Sequence, residues 1–143
     1  MSEAIVVERL IRARPERVFA AFADPKSLAR WMTPGDDMTH ASAEVDFRVG
    51  GRFRIVMHGG ERDSAQHGEY LAIEPGKRLQ MTWISEFVPE SDRHTRVTVH
   101  FEPEGDATRL RLVHDELPAN DTYEGHTNGW TAILRHLAVA LEA

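Results

Sequence analysis

Hydrophobic and polar residues alternate with a period of two over most of the chain from about residue 41 to residue 116. This alternation is typical of strands that bury one face, so it predicts a series of strands in this region. The segment 5–12 is rich in β-branched residues and suits one earlier strand. The predicted strands lie at 5–12, on both sides of a glycine pair within 44–57, and at 68–74, 78–85, 95–102 and 107–116.

Short turn signals join the later strands. Pro75-Gly76 and the segment 103–105 each separate two strands by only a few residues. Connections this short are typical of antiparallel neighbours, because a parallel pair needs a crossover of a dozen residues or more. We therefore expect an antiparallel sheet of about six or seven strands.

The glycine pair inside the segment 44–57 marks a hairpin whose register follows from the side-chain pattern. A two-residue loop made of the two glycines would mix charged and apolar residues on each face. A three-residue loop over 49–51 places Phe47 opposite Phe53 and Arg48 opposite Arg52, which keeps one face apolar. We therefore predict the three-residue loop, with a glycine in the left-handed region.

Two short helices are predicted between the first strand and the rest of the sheet. Pro15 stands at a favourable first helical position. Asp24, followed by Pro25, ends this helix and is a suitable N-cap for the next one. Pro34-Gly35 is the predicted end of the second helix.

One long helix is predicted from Asp121 or Thr122 to the end of the chain. A sheet with one apolar face needs a cover, and this is the only predicted helix long enough to provide it. Strands that are segregated from helices indicate the α+β class, here in one domain over residues 1–143. The apolar residues of the helix form a single stripe at helical spacing: Trp130, Ile133, Leu134, Leu137 and Leu141.

Two glycines interrupt this helix beside its apolar stripe. Gly129 precedes Trp130, and Gly125 lies one turn earlier, although glycine costs roughly 1 kcal/mol relative to alanine inside a helix. Two explanations remain open. The glycines either let the helix approach a neighbouring strand or loop closely, or leave room for a ligand beneath its N-terminal half.

Composition limits the class of protein. A chain of 143 residues that is 41% hydrophobic and 28% charged suits one globular domain, and its formal net charge of −6 argues against nucleic acid as the main partner. The chain has no cysteine, which excludes disulfides and thiolate metal sites. No apolar run reaches the ~20 residues of a membrane span and no signal-peptide pattern is present, so we expect a cytoplasmic protein.

Several motifs, ordered over nearly the whole chain, carry a family resemblance. They are Asp24-Pro25 with Leu28 and Trp31, VGGRFR at 49–54, GEYLAIEP at 68–75 with Arg78-Leu79, Thr82-Trp83, Val97-Thr98-Val99 and Gly129-Trp130. In these motifs the chain resembles the activator of heat shock protein 90 ATPase homologue family (C-terminal-domain-like), part of the START-like, SRPBCC or birch-pollen-allergen-like superfamily. The resemblance implies a helix-grip fold, in which a curved antiparallel sheet surrounds the long C-terminal helix with a cavity between them.

The first functional hypothesis is the binding of a small hydrophobic or amphipathic ligand in that implied cavity. Large and adaptable apolar side chains should converge there, with Tyr70 and His114 adding polar groups to an apolar chamber. No cofactor is expected. The candidate ligand-binding residues are Trp31, Met32, Phe53, Met57, Tyr70, Met81, Trp83, His114, Trp130 and Leu134.

Two other hypotheses remain. A co-chaperone-like interaction domain is suggested by the family's name, although the chain has no room for the additional N-terminal domain of the eukaryotic activator. A cyclase- or hydrolase-type enzyme would need a general acid or base near the cavity, and His114 is the best candidate. A lone histidine on an apolar face is more often a hydrogen-bonded core residue, so no catalytic residue is assigned and an enzyme is the less favoured interpretation.

Metal binding and dimerisation have little basis in the sequence. The eight histidines form no H-x-H or H-x₃-H pair, and the polar segment 58–67 is more simply a loop. No metal site is therefore predicted. Val139 points away from the apolar stripe and would be available for a homodimer contact, but a single exposed valine is normal.

Overall fold

The structure is a computed structural model. It describes residues 4–33, 38–59, 64–86, 95–115 and 122–142. The elements are β1 (Ile5–Ile11), α1 (Pro15–Ala23), α2 (Pro25–Trp31), β2 (Met38–Val45), β3 (Arg52–Gly59), β4 (Ser64–Glu74), β5 (Arg78–Ser85), β6 (Thr95–Glu104), β7 (Ala107–Asp115) and α3 (Thr122–Glu142).

The seven strands form one antiparallel sheet in the order β1-β7-β6-β5-β4-β3-β2. It is a meander from β2 to β7, to which β1 adds beside β7. The sheet curls into a half-barrel, and its inner face is covered by the helices, with α2 packed on β2 and α3 on β1. The predicted α+β class and helix-grip fold are confirmed.

The predicted register of the β2–β3 hairpin is wrong by two residues. Val45, and not Phe47, lies opposite Phe53. The shift of two keeps the predicted apolar face, because side chains alternate with a period of two. Phe47 leaves the strand and packs edge-on against Phe19 and Tyr70, with ring centroids 5.7 and 5.0 Å away. The contacts of Phe47 with the core therefore decide where the strand ends.

The tip of this hairpin bonds to β4. The Gly50 amide donates to the Tyr70 carbonyl at 2.9 Å, and the Tyr70 amide donates to the Gly51 carbonyl at 3.0 Å. Gly50 has a φ of 87°, which confirms the predicted glycine in the left-handed region. These two hydrogen bonds hold the loop against β4. They lie next to the point where the β4–β5 ladder shifts register, between Tyr70 and Ala72.

The helices begin where their caps predict. Pro15 is the first residue of α1, and the Asp24 side chain accepts a hydrogen bond from the Lys26 amide at 3.0 Å at the start of α2. α2 ends at Trp31, earlier than predicted, and Pro34-Gly35 lies outside the described residues. The predicted stripe of α3 is buried from Trp130 to Leu141.

Candidate functional site

A small void lies between the inner face of the sheet and the helices, near the centre of the hydrophobic core. Its volume is about 20 Å³, scarcely more than one water molecule occupies. Known ligand pockets measure about 300–1,000 Å³, so the described core is nearly closed. The void is lined by Phe22, Leu28, Met32, Phe53, Ile55, Tyr70, Leu79, Met81, Trp83, Val97, Val99, Leu112 and Trp130.

The predicted ligand-binding residues divide into two groups around this void. All ten are buried, with exposed fractions of 6% or less. Those that border the void are Met32, Phe53, Tyr70, Met81, Trp83 and Trp130. Those that lie in the same core without bordering it are Trp31, Met57, His114 and Leu134.

One wall of the void is aromatic, and Gly68 makes room for it. Gly68 faces inward on β4, between Phe53 on β3 and Trp83 on β5, whose ring centroids are 5.7 Å apart. A Cβ atom at position 68 would lie 2.9 Å from the Phe53 ring and 2.0 Å from the Thr82 carbonyl oxygen. Sequence reasoning missed this glycine as a site residue. Its signal was a glycine inside a strand pattern, which often marks a close approach.

A chain of hydrogen bonds crosses the core beside this wall. The Trp130 Nε1–H donates to His114 Nδ1 at 2.9 Å. His114 Nε2 lies 2.8 Å from Thr95 Oγ1, and the Thr95 hydroxyl donates to the Trp83 carbonyl. An indole N–H can only donate, so Nδ1 accepts and the proton of the imidazole belongs to Nε2. The chain of donors therefore runs from Trp130 through His114 and Thr95 to Trp83.

His114 has a structural role in this arrangement. None of its surface is exposed, and its ring packs against Trp83 and Trp130 at centroid distances of 6.3 and 5.9 Å. Each ring nitrogen bonds a core side chain, which joins α3 to β7 and β6. Thr95 was not predicted as part of the site. Its hydrogen bond with His114 forms only because β6, which carries Thr95, lies beside β7, which carries His114.

Tyr70 is the titratable side chain of the void lining. Only 2% of the residue is exposed. Burial, and to a smaller extent the negative charge of Asp46, raises the pKa of the Tyr70 phenol far above its ordinary value. Tyr70 is therefore a neutral phenol over the whole physiological range of pH, and it can donate or accept a hydrogen bond.

The comparisons with known proteins agree with this fold. Residues 12–142 match the family profile described as activator of Hsp90 ATPase homolog 1-like protein. The chain belongs to this family. A comparison with curated protein sequences gives no match.

Solved structures of several other proteins show the same fold. A protein from Chromobacterium violaceum is 28% identical, with a TM-score of 0.85, over 100% of this chain and 99% of the other. The AHSA1 protein from Silicibacter pomeroyi is also 28% identical, with a TM-score of 0.77, over 99% and 100%. An Hsp90 activator from Plasmodium falciparum is 28% identical, with a TM-score of 0.76, over 99% and 97%.

The outer face of the sheet in this family member carries a second polar cluster, which is exposed. Glu86 lies 3.3 Å from Arg54 and 2.8 Å from His67 Nδ1. The hydrogen bond from Arg54, and next the one from His67, lowers the pKa of the Glu86 carboxyl. Beside this cluster lies a shallow charged groove of about 430 Å³, lined in part by Glu44, Asp46 and Arg52. Of the charged residues at this groove, Asp46 pairs with Arg48 at 2.9 Å and Arg54 pairs with Glu86 at 3.3 Å.

The histidines at the two ends of the segment 58–67 bond protein side chains. Of the histidines in the segment 58–67, His58 bonds Ser42 at 2.7 Å and His67 bonds Glu86. Within the described ranges, no three side chains of ligating type lie together as a metal site would require. Among the same residues, no helix has the length and apolarity needed to cross a membrane.

Proposed function

We propose that this member of the activator-like family binds a small, neutral, apolar ligand between the sheet and the helices α2 and α3. The observation that carries the proposal is the central void, which the fold leaves where strands and helices converge. Its described lining contains aliphatic, aromatic and methionine side chains and no charged one. Such a lining suits hydrophobic contact, and a charged ligand would lose its hydration without compensation.

Binding of this kind requires the void to expand. A volume of about 20 Å³ holds no ligand larger than a water molecule. Met32, which directly follows α2, and Met81 from β5 border the void from different sides of the chain, and methionine has three rotatable bonds that let it repack at low cost. We infer that the ligand takes the space of these side chains, with the short helix α2 adjusting around it.

Binding is favoured over catalysis by the positions of the polar groups. His114 Nδ1 and Nε2 both bond core side chains, and His114 does not border the void. Tyr70 is held neutral by burial. The described lining therefore offers hydrophobic surface rather than a group suited to proton transfer near neutral pH.

A second candidate, co-chaperone activity, is favoured by a different observation. The Plasmodium falciparum structure, which aligns over nearly the full length of both chains, is that of an Hsp90 activator. If this chain shares that activity, adding it to Hsp90 should raise the steady-state rate of ATP hydrolysis in a saturable way. An unchanged rate at saturating concentration would reject this candidate.

The ligand-binding proposal is tested by titrating the protein with N-phenyl-1-naphthylamine, a neutral apolar fluorescent probe. The test variant carries Val97→Ile and Val99→Ile, which add two methylenes at the void. The matched control is Val7→Ile, the same change on β1, where the side chain packs on the core away from the void. Near-ultraviolet circular dichroism shows whether each variant keeps its native packing.

We expect saturable binding of about one probe per chain to the native protein. The double variant should weaken binding about fivefold or more, because overpacking costs about 1–3 kcal/mol and the ligand must then open a filled space. Val7→Ile should leave binding unchanged. Equal affinity of all three folded proteins would place the probe elsewhere and reject the proposed site.

A further inference from the structure

The short helix α2 ends in a tight turn at Met32, a residue that borders the void. Met32 has φ and ψ angles of −83° and 65°, and the Thr33 amide donates to the Trp31 carbonyl at 2.9 Å. These angles and this hydrogen bond define an inverse γ-turn centred on Met32. The position of Met32 therefore depends on what holds the residue on each side of it.

Both neighbours of Met32 are hydrogen-bonded to other helices. On one side, the Trp31 Nε1–H donates to the Ala21 carbonyl of α1 at 3.3 Å. On the other side, His136 Nδ1 of α3 lies 2.9 Å from the Thr33 carbonyl oxygen and 3.0 Å from Thr33 Oγ1. A carbonyl oxygen can only accept, so His136 Nδ1 carries the proton and donates to Thr33. The end of α2 is thereby joined to α3.

The two sides of the void differ in how easily they can move. On the sheet side, the strands that border the void are β3 to β7, and each is paired with two neighbours, so opening the sheet would break many backbone hydrogen bonds. On the other side, α2 has only seven residues, too few for a helix to be stable by itself, and its position depends on tertiary contacts. Thr33 is 4% exposed, so water competes little for its bond with His136.

We propose that the hydrogen bonds between His136 and Thr33 form a latch, which holds the void closed in the ligand-free protein and breaks when a ligand binds. This inference rests on the proposed binding function and adds its regulation. The void of about 20 Å³ has to expand, and moving Met32 out of the way displaces the turn that it shares with Thr33. The latch therefore makes the binding-competent form a minor one, and the apparent affinity is reduced in proportion to the population of that form.

The latch differs from an ordinary structural contact in the sign of its effect on binding. Loss of an ordinary buried hydrogen bond destabilises the folded protein without making a distant site bind better. Loss of the latch also destabilises the ligand-free protein, but it raises the population of the open form, so association with the ligand becomes faster. Dissociation begins from the bound form, in which the latch is already broken, so its rate should not change.

The test measures association and dissociation of N-phenyl-1-naphthylamine by stopped-flow fluorescence. The test variant is His136→Phe, which keeps a planar ring and removes the N–H donor. His136→Asn is the conservative variant, because its side-chain amide can donate from a position near that of Nδ1. The matched control is Thr108→Val, which removes a buried hydrogen bond of 2.7 Å to the Ala13 carbonyl at a residue that does not border the void.

In His136→Phe we expect a lower temperature of thermal unfolding together with an association rate about three- to tenfold higher, the effect of one hydrogen bond. The dissociation rate should stay the same, so that the Kd falls by the same factor. His136→Asn should return the association rate towards the native value. Thr108→Val should lower the unfolding temperature and leave both rates unchanged. Thr33→Val, which removes only the hydroxyl, should raise the association rate about twofold and decides the outcome if His136→Phe does not fold.

Other outcomes separate this inference from the function on which it rests. If the native protein binds the dye and folded His136→Phe associates no faster, the inference fails while the binding site remains. If both rates rise equally and the Kd is unchanged, the hydrogen bonds re-form around the bound ligand, and the inference also fails. If neither the native protein nor the folded variants bind the dye, the proposed function fails and the inference fails with it.

Discussion

Trp83 and Trp130 lie with their rings 4.9 Å apart, yet the core uses their polar groups differently. The Trp130 N–H enters a chain of hydrogen bonds through His114 and Thr95. Trp83 enters the same chain at its other end through its backbone carbonyl, which accepts from the Thr95 hydroxyl. The two residues are equally buried, so burial alone does not decide which polar group of a tryptophan the core uses. The difference is which group meets a partner on a neighbouring element.

Of the changes considered, the removal of His114 should have the largest effect on stability. His114→Ala leaves the Trp130 N–H without its acceptor, removes the donor to the Thr95 oxygen and opens a cavity in a site that is 0% exposed. We expect a loss of roughly 3–4 kcal/mol in the free energy of unfolding, measured by urea denaturation. The control is His100→Ala on the outer face of β6, which should cost less than about 0.5 kcal/mol. Equal costs at the two positions would contradict the structural role of His114.

Filling the position of Gly68 should disturb the aromatic wall that carries Trp83. Gly68→Ala places a methyl group 2.0 Å from the Thr82 carbonyl oxygen, so β4 and β5 must separate locally. The expected loss is about 2–3 kcal/mol, accompanied by a changed near-ultraviolet circular dichroism signal from the tryptophans. Ala43→Gly on β2 exchanges the same two residue types and should cost only about 0.5–1 kcal/mol. A neutral Gly68→Ala would mean that the wall does not need the glycine.

The cluster of Glu86, Arg54 and His67 shows how much polar contacts outside the core contribute to the free energy of unfolding. Its folded pKa is lowered from the ordinary value of 4.5, mainly by the hydrogen bond from Arg54 and also by that from His67. The resulting stabilisation is complete above the unfolded pKa and is lost as the pH falls through the lower folded pKa. Because the pair is exposed, it should amount to less than about 1 kcal/mol.

Glu86→Gln tests this contribution. The variant should be slightly less stable than the native protein at pH 7, and the difference should vanish in acid, below the lowered folded pKa, where the native carboxyl becomes protonated. Urea denaturation at both pH values measures it. A difference that persists unchanged in acid would show that the charge of Glu86 is not its cause.

Of the changes considered, the removal of the Tyr70 hydroxyl should have the smallest effect on stability. Tyr70→Phe takes away a group without a partner among the described residues, so the free energy of unfolding should change by less than about 0.5 kcal/mol. Thermal unfolding of the two proteins in parallel measures the change. A loss above about 1 kcal/mol would show that the hydroxyl has a structural partner after all.

Much of the fold was predictable because it depends on local patterns. The alternation of residues 78–85 predicts β5 with its observed bounds, and Asp24-Pro25 predicts the junction of α1 and α2. The hairpin register was not predictable to the residue. Both Val45 and Phe47 fit the apolar face, and the choice between them depends on Phe19 and Tyr70, which are distant in sequence.

The candidate site was predictable as a set of buried side chains but not as an arrangement. The sequence indicates that residues such as Met81, Trp83 and Trp130 face inward together. It does not indicate the hydrogen bond between Trp130 and His114, because that bond requires α3 to cross β7 at one position. The sequence does not indicate the volume of the void either. That volume is the small difference between the space inside the fold and the volume of the side chains that fill it, and every neighbouring side chain contributes to it.

The sequence by itself determined the elements and the apolar face of each one, because these follow from periodicity, caps and turn residues acting over a few positions. The helix-grip class came from the family resemblance of its motifs. Only the tertiary structure decided that both ring nitrogens of His114 find partners, in Trp130 and Thr95. Whether a buried donor finds an acceptor depends on distances of about 3 Å between separate elements, and those distances are set only when the helices close on the sheet.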